Sequence, residues 1–234
     1  GIDKKSSELA AAVFKVFDVP VHIFDSPKVT EAAKLFQNIY RDVNIALANE
    51  LALASESLGL DVTKVIEAAL TEPKTHLLTP GPGVGGYCLT KDTYYLTRPA
   101  ERSGFRPKVL SAARDVNDSM PRHVLNLVQS GCREAGVRVR GSVVAVLGIS
   151  FKANTADTRD SPSIPVIRGL LRLQMNVLIH DPLADAKAIG RALRGAIVTE
   201  KLEDALRTSD VLVLLTDHIE YRALSGNALA RLAP

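Results

Sequence analysis

The sequence predicts an α/β protein: a long central helix and a helical middle unit, followed by a Rossmann-like parallel sheet. Three observations carry this. From Val29 to Leu58 apolar residues recur at helical spacing with no Gly or Pro between them. From Ser142 onward, short apolar runs alternate with helical stretches, the pattern of strands covered on both faces. Between the two lies the stretch 79–92, Thr-Pro-Gly-Pro-Gly-Val-Gly-Gly-Tyr-Cys-Leu-Thr-Lys-Asp, too rich in Gly and Pro for a helix or a central strand.

In chain order, 6–17 reads as a helix with Leu9, Val13, Val16 and Phe17 on one face. Pro20 ends it, and 21–24 reads as a short strand. There is no initial Met and no capping segment before Pro234, so both ends read as cut. Ser26-Pro27 opens the long helix and Gly59 closes it. About thirty residues at 1.5 Å each give a rod of roughly 45 Å. Its Ala-rich, many-sided apolar surface fits a domain connector or a subunit interface. Lys34 and Asn38 share one face at i, i+4. Such a pair is ordinarily a solvated stripe, and gains a role only if that face turns toward Cys88.

Asp61 caps a short helix reaching Ala69. After the glycine stretch, 108–116 and 121–135 read as two helices, the second entered through Pro121 and containing Cys132 as a structural thiol. The α/β part then reads as strand 143–147, helix 162–173, strand 177–180 ending in Asp181-Pro182, helix 184–193, strand 196–199, helix 202–207 and strand 211–216.

Composition narrows the function. The 234 residues are 46% hydrophobic, enough for a substantial core, and carry a net charge of +3 with acids and bases mixed. No basic run is interleaved with aromatics, so a nucleic-acid partner is not expected. Two distant cysteines without CxxC or paired histidines argue against a disulfide framework or a metal site, and sparse thiols point to a reducing cytoplasm. No apolar run approaches the roughly 20 residues of a membrane helix.

Two glycine fingerprints compete. Gly81, Gly83 and Gly86 satisfy GxGxxG, but Pro80 and Pro82 oppose the strand-to-helix context that a dinucleotide site needs. Gly148-Ile149-Ser150 follows a strand, yet Ser150 stands where the middle glycine lets a pyrophosphate reach the backbone. The second site is therefore degenerate. The loop beyond it carries Lys152, Asp157, Arg159 and Ser161 at the C-terminal sheet edge. A phosphate or nucleotide fits there, and so does an ordinary polar loop. Cys88, followed by Lys91 and Asp92, has the layout of a ligand loop leading into a nucleophile.

Taken together these residues resemble a family, the nucleotide-sugar 6-dehydrogenases. The stretch from Gly81 to Cys88 with Lys91-Asp92 resembles the family's catalytic-cysteine signature, and Lys34 with Asn38 its central-helix Lys-x-x-x-Asn. Phe151-Lys152 through Asp157-Thr158-Arg159-Asp160-Ser161 is similar to its third-domain loop, with His180-Asp181-Pro182 and Thr216-Asp217-His218 as later landmarks. Val84 in the glycine stretch resembles the branch that acts on N-acetylhexosamines.

The resemblance implies three units: 1–25 as the remnant of an N-terminal NAD-binding Rossmann domain, 26–118 as a central helical dimerisation domain, and 119–234 as a UDP-sugar-binding Rossmann-like domain truncated at its end. It implies a four-electron oxidation of the sugar C6 hydroxyl by NAD through a thiohemiacetal and thioester on Cys88. UDP-N-acetyl-D-mannosamine is the first expected substrate, with UDP-N-acetylglucosamine and UDP-glucose as rivals. Lys34 is implied to stabilise the C6 oxyanion, Asn38 to position a water or hydroxyl, and Asp92 to activate the hydrolytic water. Leu78, Gly81, Gly83, Gly85, Gly86, Lys152 and Arg159 are implied to hold the substrate, and Lys91 and Arg159 to face the NAD. Lys74 stands where this branch carries an arginine reaching the neighbouring subunit's substrate; lysine keeps the charge and loses the fork. A cytoplasmic homodimer joined through the long helix is expected. So is the alternative that the chain by itself is a non-catalytic, dimeric UDP-sugar-binding piece.

Overall fold

A computed structural model describes residues 1–224 and Gly226. The helical part holds α1 (Lys4–Lys15), α2 (Pro27–Ser57), α3 (Val62–Ala69), α4 (Tyr87–Arg102) and α5 (Lys108–Glu134). The starts follow side-chain chemistry: Asp3, Ser26 and Asp61 accept from Ser6, Lys28 and Thr63 amides, satisfying donors that a helix start leaves free. Three expectations are corrected. Residues 21–24 form no strand, because a strand exists through its ladder and none of the described strands lies beside them. The glycine stretch passes directly into α4, so Tyr87 to Asp92 is helix and not loop.

The third correction is that 108–135 forms one helix. Pro121 lies inside α5, where its missing N–H leaves the Asn117 carbonyl without its usual donor. That carbonyl lies 3.0 Å from where a Cβ on Gly83 would be, so the glycine loop packs onto the freed oxygen. The α5 helix thus serves both halves of the molecule. Its first half packs on α2, while Val128 and Cys132 near its end join the core of the sheet.

That sheet is parallel, with β1 (Val143–Leu147), β2 (Asn176–His180), β3 (Ile197–Val198) and β4 (Val211–Leu214) in the order β3-β2-β1-β4. Between the strands lie α6 (Ser163–Arg172), α7 (Ala186–Ala192) and α8 (Leu202–Arg207). Leu147 pairs with His180 on one side and Leu214 on the other, which brings the ends of three strands together at one edge. One face of the sheet packs Val144, Val146, Val177 and Ile179 against α5 and α6; Leu147, Leu206 and Tyr221 pack together in a second apolar cluster. Cys132 is buried in the first core, and burial pushes its thiol up, as its reading as a structural residue requires. Among the described residues no helix is long and apolar enough to cross a membrane. The C-terminal end of the 119–234 unit lies outside the described residues.

Candidate active site at the glycine loop

The residues singled out on α2 and α4 meet. The Lys34 ammonium donates to Asn38 Oδ1 at 3.1 Å, and Asn38 Nδ2 donates to Asp92 Oδ2 at 2.5 Å. The long helix therefore turns its Lys–Asn face onto the helix that carries the cysteine. Cys88 and Asp92 sit at i, i+4 on the first turns of α4, so they share the face that Asn38 meets. Cys88 is exposed, Asn38 is buried and Lys34 is exposed, so a buried amide links an accessible cation to an acid beside an accessible thiol. Lys74 is exposed on the connection between α3 and the glycine loop.

The loop itself is shaped from beneath. Asn44 Oδ1 accepts from the Leu78 amide at 3.1 Å and Asn49 Oδ1 from the Gly81 amide at 2.8 Å, both from α2. The Gly86 amide donates to the Arg159 carbonyl at 3.1 Å. These three amides are bonded internally. That narrows what the Leu78, Gly81 and Gly86 backbone offers a ligand to carbonyls and open space. Gly85 marks the closest approach: a Cβ there would lie 2.5 Å from Phe151 Cβ and 2.8 Å from the Asp160 carbonyl. Gly81 has nothing within 4 Å of the corresponding position. Part of the glycine pattern thus records the clasp between the helical unit and the 151–161 loop.

Behind the loop lies a buried polar network absent from the sequence reading. Asp42 accepts from Arg114 Nη1 at 2.7 Å, Asn117 Nδ2 at 2.9 Å and Thr93 Oγ1 at 3.2 Å, and Asn117 Oδ1 accepts from Asn49 at 2.9 Å. Burial pushes the Asp42 carboxyl up, and Arg114 opposes this; burial works against the Arg114 charge too, but Asp42 and Asp118 more than compensate. A signal was available: Asn38, Asp42 and Asn49 interrupt the apolar pattern of α2 with polar residues on its inner side.

On the far side of the clasp, Lys91 and Arg159 both stack on the Tyr87 ring, at 3.9 and 5.2 Å from its centroid. Lys91 also pairs with Asp160 at 3.6 Å, and Arg159 with Asp157 at 2.6 Å, which holds the Asp157 carboxyl down to about 2. Lys152 is exposed on the same loop. The structure thus gathers Lys91 and Arg159 on the Tyr87 ring, at the helix start that carries Cys88.

The chain belongs to the UDP-glucose/GDP-mannose dehydrogenase family: residues 28–119 match its central domain and residues 145–233 its UDP binding domain. It is 36% identical to an NDP-N-acetyl-D-galactosaminuronic acid dehydrogenase of Ralstonia nicotianae, over 98% of this chain and 52% of that protein. It is also 36% identical to a UDP-N-acetyl-D-mannosamine dehydrogenase of Methanococcus vannielii, over 95% of this chain and 49% of that one. The solved UDP-N-acetyl-D-mannosamine dehydrogenase of Pyrococcus horikoshii superposes with a TM-score of 0.85 at 32% identity, covering 100% of this chain and 52% of that structure. The UDP-glucose dehydrogenase of Pyrobaculum islandicum gives 0.86 at 29% identity, covering 99% and 55%. The chain spans about half the length of the curated relatives it matches.

Neither glycine-bearing turn fits a dinucleotide. Gly83, Gly85 and Gly86 press on protein atoms, and the amides after β1 are taken by the Asp181 carboxylate that follows β2.

Proposed function

We propose that the complete protein oxidises the C6 hydroxyl of a UDP-N-acetylhexosamine to the carboxylate, with UDP-N-acetyl-D-mannosamine the first substrate and UDP-N-acetylglucosamine and UDP-glucose its rivals. NAD would supply the oxidising power by accepting two hydrides from C6, the first leaving an aldehyde and the second turning its Cys88 adduct into a thioester, with Lys91 and Arg159 bordering it. The observation that carries the reading is the Lys34–Asn38–Asp92 chain, which joins a cation to a carboxylate one helical turn from Cys88.

In this reading Cys88 adds its sulfur to the C6 aldehyde carbon, giving a tetrahedral oxyanion. Lys34 neutralises that oxyanion, and Asn38 fixes both the ammonium and the Asp92 carboxylate in place. Asp92 takes a proton from the water that releases the acid from sulfur. Lys152 and Arg159 bind the diphosphate; Leu78 and the glycines shape the cleft for the sugar. Lys91 and Arg159 border the cofactor side, and Lys74 reaches toward the neighbouring subunit. Exposed Phe36, Tyr40, Leu47 and Leu51 recur along one side of α2 and support a homodimer through that helix; a chain that sediments as a monomer at micromolar concentration counts against it.

The test is turnover of the complete protein with the three UDP-sugars and NAD, followed by NADH absorbance and by analysis of the acid. Cys88→Ala is expected to lose acid formation by at least about 10³-fold, as removal of a covalent nucleophile does. Undiminished acid production by that variant overturns the mechanism. The chain by itself is expected to bind the UDP-sugar without turnover, which is the second reading, favoured by the absence of a dinucleotide cradle among the described residues.

A further inference from the structure

At the C-terminal edge of the sheet, a carboxylate occupies the place where a Rossmann domain receives a phosphate. In such domains the amides of the turn after the first strand point at a pyrophosphate, and an acid downstream takes the ribose. Here the corresponding amides point at Asp181, the acid that follows β2. Asp181 Oδ2 accepts from the Ile149 amide at 2.8 Å, the Ser150 amide at 3.2 Å and the Ser150 hydroxyl at 3.3 Å. Its Oδ1 accepts from the Leu183 and Ala184 amides at 3.0 and 2.9 Å. The second pair is local, but the first reaches back across more than thirty residues to the turn after β1.

Nothing enters beside it. The Asp181 and His218 side chains are fully buried, with His218 Nε2 at 3.3 Å from Oδ2. The Asn154 amide donates to His218 Nδ1 at 3.1 Å, so Nε2 carries the ring proton and faces the carboxylate. Gly148 has a φ of 83°, and a Cβ on it would lie 2.5 Å from Thr216, whose hydroxyl donates to the Ser150 carbonyl at 2.6 Å.

We infer that Asp181 is a built-in stand-in for a phosphate, a specificity-determining residue that closes the dinucleotide position of this sheet and leaves the exposed loop of Lys152 and Arg159 as its route for a nucleotide. The half-negative oxygens of a carboxylate meet the same converging N–H groups that a phosphate oxygen would. His218 completes the site from β4's end and ties it to Asn154, two residues from Lys152. The closure stands whether or not the substrate reading above is right.

The test is anion rescue of the full chain. Thermal unfolding of the native chain and of Asp181→Ala is followed by circular dichroism in inorganic phosphate up to about 50 mM, against sodium chloride at equal ionic strength. The native chain is expected to respond alike to both salts. The Asp181→Ala chain is expected to melt lower in chloride and to regain about 5 °C or more in phosphate, because the anion binds the vacated amides only in the folded state. Asp181→Asn, which fills the space but turns an N–H₂ or an uncharged oxygen toward those amides, is expected to melt lower without a phosphate response. The inference is overturned if Asp181→Ala responds to phosphate no more than the native chain does. It is also overturned if that variant stays unfolded throughout the phosphate series, or if Asp181→Asn gains the same response.

Discussion

The two glycine-bearing turns of this chain invite one reading and obey different physics. The 81–86 loop lies between units: asparagines on α2 hold it from below, and Phe151 and Asp160 press on it from the sheet side. The turn after β1 lies within one unit and is sealed by Asp181. Glycine spacing reports that something approaches the backbone closely. What approaches is a tertiary fact, and in both turns much of it is protein. The difference is in what stays open, for the first turn leaves an accessible Cys88 at its end and the second leaves nothing exposed.

The comparison breaks first at the buried network beneath the 81–86 loop. Arg114→Leu strands Asp42 without its cation and is expected to cost about 3–5 kcal/mol, read from the denaturant midpoint. A loss within about 0.5 kcal/mol means the network does not support the loop.

The glycines themselves come next. Gly85→Ala places a methyl into Phe151 and the Asp160 carbonyl and is expected to cost about 1–3 kcal/mol. Gly81→Ala meets open space and is expected to change stability by less than about 0.5 kcal/mol. Equal costs at the two positions contradict the clasp.

A smaller effect separates the two turns by pH. Burial opposes the Asp181 charge, but the amides of Ile149, Leu183 and Ala184 and the nearby His218 outweigh it and hold the carboxyl below its ordinary value of 3.8. Its stabilisation is therefore present above that value and is lost as pH falls through the lower folded one. Burial pushes the neighbouring His180 below its ordinary 6.5, so its neutral form stabilises the fold above 6.5 and that contribution fades as pH falls toward the folded value. Asp42 has the opposite sign, because burial raises it: its burden is absent below 3.8 and grows as pH rises toward its folded value. Between pH 7 and 5, amide exchange at Ile149 and Ser150, corrected for intrinsic rates, is expected to speed up while exchange at Asn117 does not. Parallel behaviour of the two regions would remove this distinction.

Periodicity found most of the fold and motif order chose the candidate residues, each where the information is local. The α2 helix was legible because apolar residues recur along it for some thirty residues with no Gly or Pro between Val29 and Leu58, and β1, β2 and β4 because each is a short apolar run. The α4 helix was missed because its start is buried in a Gly- and Pro-rich stretch and Pro99 sits near its end. The α5 helix was split at Pro121 because a local rule cannot see that neighbouring packing tolerates the lost bond. The strand at 21–24 failed for the reverse reason, since β propensity cannot supply a partner. Lys34, Asn38, Cys88 and Asp92 were named from their order in the chain, and the hydrogen bonds that join three of them bear on that grouping. Asn44, Asn49, Arg114 and Asn117 stayed hidden because their work is done across sequence separations of 32 to 75 residues. Only their polarity on the inner sides of long helices hinted at it.

The central claim is that the open face beside Cys88 receives the sugar end of a UDP-sugar. Alkylation of the chain by iodoacetamide, resolved by peptide mass spectrometry, tests it most directly, because Cys88 is exposed while Cys132 is buried and serves as the internal reference. Saturating UDP-N-acetyl-D-mannosamine is expected to slow labelling of Cys88 by at least about tenfold, as occlusion by a bound ligand does, and to leave Cys132 unlabelled. Labelling of Cys88 at the same rate with and without the nucleotide sugar would contradict the claim.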